Sequence, residues 1–240
     1  MTATTLEPQE IEKFTAIAAE WWDESGKFAP LHKINPIRVR YVRDTIYQHF
    51  DCETLKGKSL IDIGCGGGLV SEPMARLGAK VTGIDGGEKN VKTAIAHAQA
   101  MQLKIDYRTT TAEALAEKGA QFDVVLALEI IEHVSDVALF LESVAKLVKP
   151  GGVLIMSTLN RTMKSYALAI VGAEYVLRWL PRGTHDWKKF LMPAELIQPL
   201  QAHGLKHTAS KGMVMNPLKW EWQMSDSDLE VNYYVCFTKM

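Results

Sequence analysis

The chain has two textures of apolar and polar positions. Over 9–23, Ile11, Phe14, Ala18 and the Trp21/Trp22 pair recur at helical spacing and predict an amphipathic helix. A loop over 24–36 carries Gly26, Pro30 and Pro36. A second helix over 36–50, carrying Arg38, Arg40 and Arg43, is expected to start with Pro36 in its first turn, where a missing N–H costs nothing. From residue 58 the pattern changes. Short apolar runs at 58–63, 80–84, 104–108, 122–128 and 153–157 predict strands. Helical spacing at 69–77, 91–101, 111–118 and 138–147 falls between them, the last helix ending at Lys149-Pro-Gly-Gly152. Strands and helices alternating at this pitch predict βαβ units and a parallel sheet covered on both faces. Residues 159–192 break the rhythm. About 205–239 contains two strand-like segments; the clearer is 229–238, where Val231, Tyr233, Val235 and Phe237 alternate. Such a pair adds an antiparallel strand to the end of the sheet.

Composition narrows this little. With 240 residues, 47% of them hydrophobic and 23% charged, the chain has enough apolar surface for a packed core, which excludes disorder as its main state. Its 27 basic and 28 acidic residues give a net charge of −1, against a duplex nucleic-acid binder. Cys52, Cys65 and Cys236 form neither a CxxC nor a Cys/His cluster, which points to a reduced, cytoplasmic setting. The first residues lack the basic and apolar regions of a signal peptide, and no apolar run reaches 18 residues, so no membrane span is expected.

The strongest chemical signal is Asp62-Ile-Gly-Cys-Gly-Gly-Gly68, directly after the first predicted strand. Glycines let the backbone turn sharply and come close to a ligand, and the helix that follows presents its N-terminus. A dinucleotide loop needs G-x-G-x-x-G, but Leu69 occupies the sixth position. The pattern D-x-G-x-G-x-G, that of an S-adenosylmethionine loop, is matched by Asp62, Gly64, Gly66 and Gly68. Asp85 ends the second strand, where a carboxylate accepts both ribose hydroxyls.

Gly64-Cys-Gly-Gly-Gly68, the strand at 81–85, the strand at 122–128 and Leu147-Val-Lys-Pro-Gly-Gly152 resemble the four ordered motifs of class I S-adenosylmethionine-dependent methyltransferases. Trp21-Trp-Asp23, Leu31-His-Lys-Ile-Asn-Pro36, Glu129-Ile-Ile-Glu-His133, Ser157-Thr-Leu-Asn-Arg161, Val171-Gly-Ala-Glu-Tyr175 and Gly183-Thr-His-Asp186 resemble the ubiquinone-biosynthesis O-methyltransferase family, from about residue 10 to 238. The resemblance implies a single Rossmann-like α/β domain over 1–240. Its sheet would be seven-stranded and mostly parallel with one antiparallel strand, with helices on both faces, a helical cap over 1–50 and an inserted lid over 159–192. It implies a cofactor site of Arg38, Asp62, Gly64, Gly66, Asp85 and Leu128; for Arg38 the plain alternative is a solvated helix face. Two departures stand out. Gly86-Gly87 follow Asp85 where a bulkier residue often packs on the adenine, which predicts a looser adenine wall. Thr111-Ala-Glu113 replaces the aspartate that reads the adenine amine in many relatives, which passes that contact to backbone groups.

Glu129, Glu132 and His133 lie just past the fourth strand. On a helical turn they would share one face. Two carboxylates and an imidazole suit a divalent cation, and the resemblance supports Mg²⁺. His133 as general base, assisted by Glu132, is a second reading; a helix start with acids at its dipole is a third. His185 is another candidate base. The implied reaction is O-methylation of a polyprenylated phenol or quinol. The alternatives are another small-molecule O- or C-methyltransferase, or a non-catalytic cofactor-binding subunit.

Within the insert, 166–180 is mostly apolar, with Glu174 and Arg178 spaced as an i,i+4 pair. As a helix of about 22 Å it falls short of a roughly 30 Å hydrocarbon core. Residues 161–189 hold six basic and two acidic side chains, a local charge of +4. With Trp179 and Trp187 this predicts contact with an anionic membrane surface; the family resemblance implies a peripheral place on its inner face alongside other enzymes of the pathway.

Overall fold

In the computed structural model, residues 4–177, 183–216 and 221–240 are described. One sheet of eight strands organises them: β1 (Ser59–Ile63), β2 (Lys80–Asp85), β3 (Asp106–Thr109), β4 (Phe122–Leu128), β5 (Val148–Leu159), β6 (Leu205–Asn216), β7 (Glu221–Ser225) and β8 (Asn232–Lys239). Their order is β3-β2-β1-β4-β5-β8-β6-β7. The first five pair in parallel, while β8 runs antiparallel to β5 and β6, and β7 antiparallel to β6. The class is the expected one. The difference is the edge strand β7: 205–239 holds three strands, not two, because Met213, Val214 and Met215 pair with Met224, Gln223 and Trp222.

Both faces are buried, and the strand period of two divides the core between them. Ile61, Val125, Leu154 and Val235 face α6 (Val137–Leu147) and α8 (Pro193–Ala202), where Phe140, Leu141, Leu196 and Leu200 are buried. Their neighbours Leu60, Val124, Ile155 and Tyr234 face the other way. They pack with Val42 and Ile46 of α2 (Ala29–Phe50) and Met74 of α3 (Ser71–Arg76). The helices α4 (Glu88–Ala100) and α5 (Ala112–Glu117) complete the cover.

The N-terminal region departs from expectation. The helix predicted over 9–23 is α1 (Pro8–Ala16) followed by a tight turn at Ala18–Glu20. The next helix starts at Ala29 rather than Pro36, so the expected loop is largely helical. Pro30 takes the first-turn position, and Pro36 lies inside the helix, where it withholds one N–H from the ladder. In the insert, a single turn α7 (Met163–Ser165) leads into wider π-type winding over Tyr166–Val176. The end of the segment expected over 166–180, with Arg178 and Trp179, lies outside the described residues. Glu174 turns inward rather than toward the helix surface: it is buried and accepts hydrogen bonds from the Gly183 and His185 backbone N–H groups.

Candidate active site

In a parallel sheet the strand ends that precede the helices gather on one edge, and ligands bind there. The glycine loop leaves β1 at this edge. Gly64 and Gly66 have φ of +73° and +52°, in the region that disfavours side chains. Space also forbids one: a Cβ on Gly66 would stand 2.4 Å from the Trp21 ring, and one on Gly64 2.8 Å from Ile130. Trp22 holds the same loop by donating its indole N–H to the Gly67 carbonyl (2.9 Å), while its ring stacks on His97 at 3.5 Å.

Asp85 stands at the end of β2. Its carboxylate accepts from the Gly66 and Gly87 N–H groups (3.0 and 2.7 Å) and from Asn90 Nδ2 (3.1 Å). Burial pushes its pKa up. Three of roughly four acceptor positions are thus used, so taking both ribose hydroxyls requires one of these bonds to be exchanged. Asn90 in turn accepts from the Trp21 indole (3.0 Å), which ties the cap to the carboxylate. Asp62 is fully buried beside the loop, accepts from Ser71 Oγ (2.6 Å), and is raised to about 6 by desolvation.

The expected looser adenine wall is not what the fold produces. The space above Gly86 is filled from the N-terminus, where a Cβ would meet Leu6 at 2.6 Å and Ile11 at 3.2 Å. The small residues at 86 and 87 make room for this strap. Glu113 has a related role. Its buried carboxylate accepts from the Thr5 N–H (2.7 Å) and from the hydroxyls of Thr4 and Thr5, and the Thr5 carbonyl accepts from the Ser135 N–H. The strap, the glycine loop, Asp85, Gly86 and Thr110-Thr-Ala112 enclose a cavity of about 120 Å³.

A second cavity, of about 920 Å³, adjoins the first and shares Phe14, Trp21, Gly64, Glu129 and His133 with it. Arg38, Asp62 and Leu128 line it, as does His185. Arg38 is not on a solvated face: it is 5% exposed, and its guanidinium donates to Asn35 Oδ1.

Past β4 the chain does not form the expected helical turn that would align Glu129, Glu132 and His133. Glu129 adopts φ of +54°, and only Ile131–His133 winds into a tight turn. The three side chains therefore part. Glu129 accepts from Ser157 Oγ and, with both oxygens, from Asn232 Nδ2 (2.9 Å each). Glu132 is buried; Oε2 accepts from Thr158 (2.9 Å), Oε1 has no partner, and desolvation followed by the nearby Glu129 charge pushes its pKa well up. His133 directs Nδ1 to Glu10 Oε2 at 2.9 Å. Among the described residues, no three His, Cys, Asp or Glu side chains form a group fit to hold a metal ion. Without a ligand bound, Glu129, Glu132 and His133 do not converge on one point, because each side chain is turned to a partner of its own.

The Glu10 contact reaches across 123 residues and was not foreseen in the sequence. Burial lowers the His133 pKa, so at neutral pH its ring is neutral and gives Nδ1–H to Glu10. The hydrogen bond from His133, working against desolvation and helped by Lys13, holds the Glu10 carboxyl at about 2. His185 lies beside His133, ring centroids 6.2 Å apart, and is held by Glu174 at 3.0 Å.

The fold and this edge of the sheet define a class I S-adenosylmethionine-dependent methyltransferase. A model of the methyltransferase domain matches residues 61–156. The magnesium protoporphyrin IX methyltransferase of Synechocystis PCC 6803, solved with bound S-adenosylhomocysteine, superposes with a TM-score of 0.65 at 20% identity over 95% of this chain and 94% of that one. A ubiquinone biosynthesis O-methyltransferase from Ruegeria pomeroyi is 56% identical over 95% of this chain and 94% of its own length. One from Azorhizobium caulinodans is 53% identical over 98% and 95%. The chain belongs to the ubiquinone biosynthesis O-methyltransferase family.

Proposed function

We propose that this chain transfers a methyl group from S-adenosylmethionine to a hydroxyl of a polyprenylated phenol or quinol, with His133 as the general base. The Glu10–His133 contact carries this reading. An acceptor on Nδ1–H leaves Nε2 free to take a proton, the arrangement that makes a neutral imidazole a base. Bound across the two cavities, the cofactor would supply an electrophilic methyl on a sulfonium. Asp85 and the glycine loop would hold its nucleoside end, and Asp62, Arg38 and Leu128 would flank the other. The chain's own work is to align the hydroxyl and remove its proton. The strap would cover the nucleoside end of the cofactor, in the smaller cavity.

The larger cavity exceeds what a ring requires. Its lining includes Met213, Met215 and Trp222 together with Leu31 and Ile34 of α2, apolar side chains suited to a prenyl tail. The test is transfer of label from S-adenosylmethionine to a short-chain demethylubiquinol; no labelled quinol refutes the proposal.

One observation favours a second reading. The unpartnered Glu132 Oε1, next to the Glu129 charge, is a place where a cation would relieve repulsion. Mg²⁺ commonly binds through one or two carboxylates, with waters and substrate oxygens completing the shell. There it would favour the phenolate form of the substrate. If exhaustive EDTA treatment and metal-free assay leave turnover unchanged, this role fails.

We also infer a peripheral association with anionic membranes through 161–189. Met163, Leu168, Val171, Tyr175, Val176 and Leu177 are exposed on the insert, an apolar surface of the kind that marks a contact. The basic contribution is smaller than the charge count implies. Arg161 pairs with Glu195, Lys164 with Asp228 and Glu230, and Lys189 with Glu10, so the apolar side chains carry the reading. Among the described residues, no helix is long and apolar enough to cross a membrane. Flotation with anionic liposomes should carry the protein upward, and deletion of 166–180 should abolish this; flotation unchanged by the deletion would overturn the assignment.

A further inference from the structure

Glu113 is a buried carboxylate that the proposed chemistry does not use. It is 5% exposed, and its bonds run to the strap: to the Thr5 N–H at 2.7 Å and to the hydroxyls of Thr4 and Thr5 at 3.1 Å each. Burying a charge is costly, and hydrogen bonds to a charge are strong, so this latch holds residues 4 and 5 firmly. The strap leads directly into the helix that serves the base. Glu7 is extended and Pro8 fixes φ in the first turn of α1, which makes the joint between strap and helix stiff. From that helix Glu10 meets His133 Nδ1 at 2.9 Å, and Phe14, one turn further on the same face, sets its ring across the imidazole at 5.1 Å. Just past His133, the Ser135 N–H donates to the Thr5 carbonyl at 3.0 Å. One N-terminal segment thus grips the chain on both sides of the imidazole, and Glu113 anchors its outer end. The same segment places Leu6 over Gly86 in the wall of the smaller cavity.

We propose that Glu113 is a positioning residue for His133: by latching the strap it sets α1 so that Glu10 reaches Nδ1, and the base is complete only while the smaller cavity is covered. Covering the cofactor and preparing the base are then one event. With the strap shut, Glu10 holds the imidazole with Nε2 as its acceptor. With the strap released, Glu10 withdraws and the spent cofactor leaves. A cofactor that favours the closed strap therefore readies the base, because binding shifts the population toward the state it prefers. This rests on the methyl-transfer function, and on His133 as its base, proposed above.

The experiment is a double-mutant cycle on the full chain: wild type, Glu113→Ala, Glu10→Gln and the two together. Each is assayed for kcat with a short-chain demethylubiquinol and for the rate at which S-adenosylhomocysteine leaves, by stopped-flow displacement. E113A should lower kcat and speed release, each by on the order of 10-fold. E10Q, which leaves the latch in place, should lower kcat alone. In the E10Q background E113A should cost little further kcat, because both changes break one chain of contacts. Glu113→Gln keeps an acceptor for the Thr5 N–H and should recover part of both losses. If E113A lowers kcat by the same factor in either background, Glu113 does not act through Glu10 and the proposal is wrong. An E113A enzyme that melts earlier yet keeps wild-type kcat and release overturns it as well, leaving Glu113 a brace for the fold. In both cases the wild type still methylates, so the function stands; a wild type that transfers no methyl overturns the function and this role together. Should E113A fail to fold, the double variant Thr4→Ala/Thr5→Ala, which leaves the carboxylate and removes two of its donors, takes its place in the same cycle.

Discussion

Gly66→Val should abolish cofactor binding while leaving most of the sheet folded. Two independent effects act at this position. The backbone is at φ +52°, a conformation that a β-branched residue resists at a cost of about 1–3 kcal/mol. The added Cβ would also lie 2.4 Å from Trp21, which is itself fixed by Asn90 and by stacking on Phe28 at 3.8 Å. Neither side can yield without moving the loop off Asp85, because the Gly66 N–H is one of the donors to that carboxylate. Titration calorimetry with S-adenosylhomocysteine should show no binding, while the far-ultraviolet spectrum stays near wild type. Wild-type affinity in this variant would show that the loop does not hold the cofactor.

His133→Ala should reduce kcat by roughly 10²–10⁴, the usual contribution of a general base, with cofactor affinity close to wild type. The pH profile gives a sharper test. Burial holds the His133 pKa below the ordinary value of 6.5, so the ring stays neutral and basic as the pH falls through 6.5. The acid limb of kcat/KM should accordingly lie below pH 6.5. Glu132 is displaced in the opposite direction, well above the usual carboxylate range, so a limb above 6.5 that disappears in Glu132→Gln would transfer the role to that residue. Glu10→Gln should keep a hydrogen-bond acceptor for Nδ1–H but lose the charge, giving a smaller decrease than His133→Ala and a different acid limb.

These residues also show where a sequence stops being informative. The placement of Asp62, Gly64, Gly66 and Asp85 at one sheet edge is legible because it depends on local spacing and on the ends of two strands that any parallel sheet brings together. Both faces of the core were legible for the same reason, from runs such as 122–128. Glu10 was not, since nothing around an isolated glutamate on an amphipathic helix names a histidine 123 residues later. Glu113 looked like a missing adenine contact, and its actual partners, Thr4 and Thr5, lie at the far end of the chain. The spacing of Glu129, Glu132 and His133 suggested one helical face, but a left-handed residue at 129 rotates the first carboxylate toward Asn232. Pro36 was read by its commonest position, although the packing of Ile34, Ile37 and Val42 against the sheet outweighs one lost hydrogen bond. The strand β7 was missed because only Trp222 and Met224 alternate there, too short a pattern to register.

The latch between Glu113 and Thr5 has a practical side. Thr5 is held within the wall of the smaller cavity, whereas Met240, the residue after β8, is exposed. The two ends of this chain are therefore not equivalent handles. A purification tag, a fluorescent fusion or a surface tether joined directly ahead of residue 4 is expected to disturb that wall, and kinetics measured with and without it would show the effect. The same attachment after residue 240 is expected to leave that wall untouched, which makes the carboxyl end the place to build reporters and immobilised forms of this enzyme.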